Sequence, residues 1–424
     1  MKIIDALMLA ALLSSLSACQ RATPVPAAVT ANDAPRAAYA PPAGRRPTVP
    51  ELTALGRAMF NEPSLSASGQ LACASCHSPD NAYSPNNRLA AQLGGADGKT
   101  EGTRAAPSLR YLQNAPAFTE HYHDDDGDDS IDAGPTGGHN WDGRTQSAHE
   151  QALQPLLSAR EMGNGTAAAL LAKLRTGPLA AQFRQVYGAD IFERPNAALQ
   201  GALMALEVFQ ESPADFYPYS SKYDAFLRKQ ATLSAQELRG LRLFNDETRG
   251  NCASCHISQI SPGGVFPQFT DYGLINIGVP RNRKLAVNAD PRYYDLGLCG
   301  PDRTDLQDHQ EYCGAFKTPS LRNVALRKAY FHNGSFSSLA AVVRFYATRD
   351  TAPMTWYRQR KFDDQPAGLD ANVNMDVPFG GKPGAAPALS ERDIADIVAF
   401  LNTLTDGYHP NSGVRSAIST RARP

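Results

Sequence analysis

Net charge is nearly absent from this chain: 41 lysines and arginines stand against 42 aspartates and glutamates, leaving −1. Such a balance argues against nucleic acid or any other broadly anionic partner, which would require an excess of basic residues. A long apolar run is missing too. The stretch from Ile3 to Leu16, within residues 2–18 where only Lys2 and Asp5 are charged, is too short and too early to span a bilayer, which needs about 20 apolar residues. Strict polar–apolar alternation, the mark of a half-buried strand, is scarce, while turn formers are plentiful, with 33 glycines and 31 prolines. A mainly α fold with long irregular loops follows. Cysteine is sparse as well: there are 7 in 424 residues, so a spacing that recurs among them is not chance.

One spacing does recur. Cys73-Ala74-Ser75-Cys76-His77 and Cys252-Ala253-Ser254-Cys255-His256 are two copies of the attachment signature of a c-type haem. The paired cysteines add across the haem vinyl groups as thioethers, and the following histidine ligates iron. A zinc site would need a second ligand pair to close its tetrahedron, and no other Cys-x-x-Cys or close His/Cys pair supplies one. The expectation is two covalent c-type haems, on Cys73 and Cys76 and on Cys252 and Cys255, with His77 and His256 as iron ligands.

The other three cysteines suit an exported protein. The leading apolar stretch closes with Leu16-Ser17-Ala18-Cys19 and reads as a secretion signal over 1–19. The small residues before Cys19 resemble a bacterial lipoprotein processing site, in which that cysteine becomes the lipidated N-terminus. Gln20, rather than aspartate, follows it, which by analogy with lipoprotein sorting places the protein at the outer membrane, facing the periplasm. The lipid would be its only membrane attachment. From Arg21 to Pro50 the chain is dense in alanine and proline and reads as an extended tether, 20–50. Cys299 and Cys313 are the pair left over, and in an oxidising compartment they are expected to form a disulfide.

The remainder repeats itself. Gly56-Arg57-Ala58-Met59-Phe60-Asn61 precedes the first motif and Gly240-Leu241-Arg242-Leu243-Phe244-Asn245 the second. Pro107-Ser108-Leu109-Arg110 and Pro319-Ser320-Leu321-Arg322 follow them, then Trp141-Asp142-Gly143 and His332-Asn333-Gly334. Apolar residues at helical spacing predict helices over Glu51–Phe60, Ala235–Phe244, Leu339–Tyr346 and Ile394–Leu404. The reading is a mainly α protein of two cytochrome-c-like haem domains from an internal duplication, divided near Ser212–Lys229, where Pro213 and Pro218 interrupt the pattern.

The order of these blocks resembles the bacterial di-haem cytochrome c peroxidase and MauG superfamily. The matching stretches include Trp141-Asp142-Gly143-Arg144, Glu150-Gln151-Ala152, Glu161-Met162, Phe316 through Val324, Tyr330 through Ser335, and Ile397-Val398-Ala399-Phe400-Leu401. The resemblance spans roughly residues 50–407, and it implies a peroxidatic domain over 51–220, an electron-transfer domain over 221–410 and a tail over 411–424. It places peroxide reduction at the first haem, with Gln151 and Glu161 ten and twenty residues after Trp141. Glu161 would be the acid/base, its pKa raised by burial, and Gln151 would orient peroxide. Glu150 would be structural, and Trp141 would conduct electrons between the haems. Many relatives cap the resting iron with a histidine about sixteen residues after the first haem histidine. Leu93 stands there and no histidine occurs between Ser78 and Glu120, so the first iron is expected to be open. The histidines of the loop His121 to His139 are expected to be solvated.

Counting fourteen residues from His332 reaches Tyr346, where electron-transferring relatives have methionine and MauG-type relatives tyrosine. Tyr346 is therefore the expected second ligand of the His256 haem, with Met375 and Met354 as rivals; His332 would support the pocket. The resemblance also raises a calcium ion between the haems. Ala105 occupies the position of its asparagine ligand, which argues against that site, and the run Asp124-Asp125-Asp126-Gly127-Asp128-Asp129 reads first as a solvated face, then as a docking patch for a basic partner, and last as a calcium loop.

The implied function is an oxidoreductase, a periplasmic peroxidase that takes electrons from a small cytochrome c or cupredoxin. One alternative is a MauG-type enzyme that uses peroxide-derived high-valent haem to oxidise residues of a partner protein. Another is a non-catalytic di-haem electron carrier, against which Glu161, Gln151 and the missing distal histidine argue.

Overall fold

The computed structural model describes residues 46–121 and 134–409, all within the compact unit Pro41–Pro424. The leader, Cys19, most of the tether, His123, the acidic run and the tail lie outside the described residues. Among those described, no helix is long and apolar enough to cross a membrane.

Regular structure is mostly helical. The first half holds α1 (Val49–Phe60), the single turn α2 (Cys73–Cys76), α3 (Ala148–Leu157), α4 (Ala167–Thr176), α5 (Ala180–Tyr187), α6 (Pro195–Gln210) and α7 (Pro213–Phe216). The second holds α8 (Lys222–Leu227), α9 (Ala235–Asn245), α10 (Leu339–Thr348) and α11 (Glu391–Asn402). The last helix thus starts a turn before the apolar spacing predicted and stops before Leu404. Polar Ser390 and Asp393 set its start through a reciprocal capping box, a signal apolar periodicity does not carry. Two antiparallel ribbons complete the fold: β1 (Leu93–Gly94) with β2 (Thr100–Glu101), and β3 (Leu274–Ile275) with β4 (Phe316–Lys317). A disulfide joins Cys299 to Cys313, their Cα atoms 5.0 Å apart.

One packing arrangement occurs in both halves. Gly56 of α1 lies against α6, where a Cβ would stand 1.9 Å from the Ala205 carbonyl oxygen. Gly240 of α9 lies against α11, where a Cβ would stand 2.0 Å from the Asp396 carbonyl oxygen. Only glycine permits helices to approach this closely. Around the first crossing Phe60 meets Phe209 edge-on at 5.4 Å and Tyr83 at 5.7 Å. Around the second Phe244 meets Phe400 edge-on at 5.2 Å and Phe269 at 6.2 Å. Two apolar clusters result, one ending at Phe216 and the other starting at Tyr223. Cys73 and Ala74 pack against the first cluster, and Cys252 and Ala253 against the second.

Candidate active site

The two motifs are held alike. In α2 the His77 amide bonds to Cys73 O at 2.9 Å, and in the turn at Cys252 the His256 amide bonds to Cys252 O at 2.9 Å. The chain then turns back so that His77 Nδ1 meets Tyr83 O at 3.2 Å and His256 Nδ1 meets Phe269 O at 2.8 Å. Tyr83 and Phe269 both take positive φ, 53° and 55°, which aims their carbonyls at the rings. A carbonyl only accepts, so Nδ1 carries the proton and Nε2 keeps a lone pair free for a metal. Burial holds both imidazoles near pKa 4, and so neutral. None of the four cysteines of the motifs is in a disulfide. Burial pushes Cys73 and Cys252 up to about 12.

Glu161 follows α3 and keeps one side toward solvent while protein encloses the rest. Burial raises its pKa, with the Ser158 hydrogen bond and Arg144 opposing, and its charge reaches both first-site thiols. Gln151, on α3, donates to Asn140 Oδ1 at 3.3 Å. Trp141 comes next in the chain, fixed by Nε1–H donating to Ala105 O at 2.8 Å. Glu150 accepts from the Gln146 amide at 2.9 Å, a structural bond. Asp142, fully buried, is clamped by Arg104 at 2.5 Å and Arg144 at 2.8 Å.

Trp141 also borders a cavity of about 880 Å³ whose lining includes Cys252, Cys255, His256, Leu339, Val343 and Tyr346. Tyr346 lies within electrostatic reach of both thiols there, and burial followed by those thiols raises its pKa. Phe379 stacks on it at 5.2 Å. Of the rival thioethers, Met354 is 68% exposed, and Met375, 48% exposed and between two residues that line the cavity, receives Arg349 Nη2 at 3.2 Å. His332 lines the cavity, stacked on Phe316 at 3.5 Å. Ala105 meets neighbouring groups through its backbone, its carbonyl taking the Trp141 donor and its amide donating to His332 O.

His139 departs from the solvated loop expected of it. His121 is exposed, but His139 is buried at 8% exposure. Gly137 and Gly138, both at positive φ, fold the chain inward, and His139 N bonds to Thr145 O at 2.7 Å. Sequence reasoning also passed over Lys317 and Arg327, cations lining the cavity, and Arg104, which binds Asp295 at 2.6 Å as well as Asp142. Lys317 stood inside a block already singled out. Basic residues between aromatic and apolar neighbours were the available signal.

Residues 50–232 match the family model described as di-haem cytochrome c peroxidase. The methylamine utilization protein MauG of Paracoccus denitrificans is 32% identical over 89% of this chain and 95% of its own. The chain belongs to the di-haem cytochrome c peroxidase and MauG family. Cytochrome c551 peroxidase of Nitrosomonas europaea is 24% identical over 69% of this chain and 72% of its own. The crystal structure of the diheme peroxidase BthA from Burkholderia thailandensis superposes with a TM-score of 0.77 at 36% identity, covering 89% and 91% of the two chains. Membership makes the protein a di-haem oxidoreductase of the peroxidase class, and the residues present fit that cofactor. Each motif offers two cysteines outside any disulfide and a neutral imidazole with its outer nitrogen tied to a carbonyl, and the second opens on a largely apolar cavity.

Proposed function

We propose that the protein is a periplasmic peroxidase that reduces hydrogen peroxide to two waters at the Cys73–His77 site, using two electrons and two protons. Its body would be two cytochrome-c-like haem domains, 51–220 and 221–410, descended from an internal duplication, tethered by a lipid on Cys19 to the outer membrane. A c-type haem bound at each motif supplies the redox-active iron. The observation that carries the reading is Glu161, whose charge reaches Cys73 and Cys76 and whose pKa is raised by the protein packed on one side of it. Its carboxylate takes the proton from the first peroxide oxygen and returns one to the leaving oxygen. The Gln151 amide, tied to Asn140, orients the incoming peroxide. Electrons from a small cytochrome c or cupredoxin enter at the Cys252–His256 site and reach the first by way of Trp141, which borders the second-site cavity.

Glu161→Gln should abolish peroxide turnover while both haems stay attached. The wild-type rate should fall as pH drops through the raised pKa of Glu161, because only the ionised carboxylate accepts the first proton. Unchanged turnover in Glu161→Gln would remove Glu161 from the mechanism.

Tyr346 favours a second reading, a MauG-type enzyme acting on residues of a partner protein. A phenolate is a hard anionic ligand that lowers the reduction potential, and a thioether raises it. EPR of the oxidised protein and of Tyr346→Phe separates the two. A low-spin signal altered by the substitution supports the MauG-type arrangement, and one indifferent to it returns the ligand to methionine or histidine and favours the peroxidase.

A further inference from the structure

Four cations line the cavity that contains Cys252, Cys255 and His256: Arg110, Lys317, Arg322 and Arg327. Two are matched by carboxylates. Arg110 reaches Asp406 at 2.9 Å, and Arg322 pairs with both oxygens of Asp224 at 2.9 and 3.0 Å. The other two have no such partner among the described residues. The Lys317 ammonium has three N–H groups and donates one, to Gly138 O at 2.5 Å. The Arg327 guanidinium has five and donates from Nη2 to Ala106 O at 3.2 Å. Lys317 is buried and Arg327 partly so, and desolvation lowers Lys317 to about 8 and Arg327 to about 10, with Asp142 and Tyr330 opposing. The acidic residues on the same lining, Asp271 and Asp376, accept from the Gly273 amide and the Asn374 side chain.

An enclosed charge without a counter-charge is strongly disfavoured. Two in one cavity indicate two anionic groups that the polypeptide does not itself provide. The rest of the lining narrows their chemistry. Phe331, Leu339, Val342, Val343, Ile397 and Leu401 would leave a small free anion in a mostly apolar void, so the anions belong on a large apolar body. A porphyrin joined through its vinyl groups to Cys252 and Cys255 is such a body and carries two propionate carboxylates.

We infer that Lys317 and Arg327 receive the two propionates of the porphyrin bound at Cys252 and Cys255. This rests on the reading that a haem is attached there. Both cations are anchored on carbonyls of the first half, Gly138 and Ala106, and the Lys317 amide bonds to Trp141 O at 2.7 Å. Ala106 precedes Pro107, whose carbonyl lies beside the His77 ring. The two ion pairs therefore tie the second porphyrin to the segments that carry Trp141 and back the first site. Lys317 and Arg327 are positioning residues.

The test uses the full-length holoprotein with Lys317→Met, Lys317→Gln and Arg327→Met, and with Lys317→Arg and Arg327→Lys as conservative controls. Haem content is counted by pyridine haemochrome, propionate bending bands are read by resonance Raman, and midpoint potentials are followed across a pH series. Each charge-removing variant should move the bending band of the second haem. Loss of a nearby cation disfavours the reduced state, so the potential should fall by a tenfold change in the one-electron equilibrium, about 59 mV. A pH dependence absent from the wild type should appear as the released propionate becomes free to protonate. The conservative variants should restore both signatures. If Lys317→Met fails to retain haem, Lys317→Gln, which keeps a polar head without charge, provides the measurement. Two haems with band and potential unmoved in every variant would overturn the inference alone. A wild-type potential that responds to added acetate, with the response lost in the variants, would also overturn it, since the site would then take free carboxylates. Fewer than two haems on the wild-type protein would overturn the reading beneath it.

Discussion

Single side chains here are governed by enclosure more than by their chemical type. His139 is an instance outside the chemistry. It is buried near Lys317, and burial, with Lys317 adding to it and Glu207 opposing, holds its pKa at about 4 against an ordinary 6.5. Between those values the unfolded chain binds a proton that the folded chain refuses. The stability contributed by keeping this ring neutral is complete above pH 6.5 and is lost as pH falls toward 4, in total roughly 3 kcal/mol. Denaturant melts at pH 7 and pH 4.5 should show His139→Gln losing roughly 2 kcal/mol less on acidification than the wild type. Equal acid sensitivity would mean that the ring is solvated after all. Nothing in the loop sequence announced this burial, because the inward fold depends on Gly137 and Gly138 at positive φ and on Thr145 waiting opposite.

Among the elements, the two glycine-mediated crossings are where sequence and packing correspond most directly. Gly56 and Gly240 stood at matching places in the repeated blocks, and each is a point of close approach between the helix that precedes a motif and its partner. A methyl group at either would fall within about 2 Å of a backbone carbonyl, and backbone cannot swing aside as a flexible side chain can. Gly56→Ala and Gly240→Ala should each destabilise the protein by about 3 kcal/mol or more, measured by urea unfolding. A loss below roughly 1 kcal/mol in either would show that its helix pair can slide apart. The helices α1, α9 and α10 were legible from apolar spacing with small errors at their ends. The start of α11 was not, because Ser390 and Asp393 set it by capping. The ribbons escaped notice because two-residue strands leave no periodicity.

For the whole molecule, a set of polar contacts helps to join the halves. Arg104 from the first half grips Asp295 of the second with two bonds, at 2.6 and 2.7 Å, and Asp142 with a third at 2.5 Å. Tyr111 and Arg110 meet Asp406 at 2.7 and 2.9 Å, and the Ala105 amide meets His332 O at 2.6 Å. Removing one partner from a buried ionic network leaves charges unmatched and typically destabilises by about 3–5 kcal/mol. Arg104→Met should fall in that range, since Asp295 would keep the Gly297 amide as its donor and Asp142 would keep Arg144. Calorimetry showing a loss under 1 kcal/mol would mean that water already shares the network. The same substitution should disturb the Trp141 segment, which Asp142 helps to hold.

Cofactor type, helical class and the residues proposed for chemistry were all readable in one dimension. Covalent attachment needs its cysteines and histidine consecutive in the chain, so a haem-binding motif is local by necessity. Spacing from Trp141 to Gln151 and Glu161 is local too, since α3 and its following turn carry them. Enclosure and charge balance are not local. Whether a lysine is solvated or sealed against a cavity, whether a histidine is neutral, and which aspartate answers which arginine depend on segments distant in sequence, such as Gly138 with Lys317 and Arg104 with Asp295. Desolvation and Coulomb energy are set by what surrounds a group in three dimensions. The motifs could therefore be read from the string of residues, whereas the unmatched cations that point to the porphyrin carboxylates emerged with the folded chain.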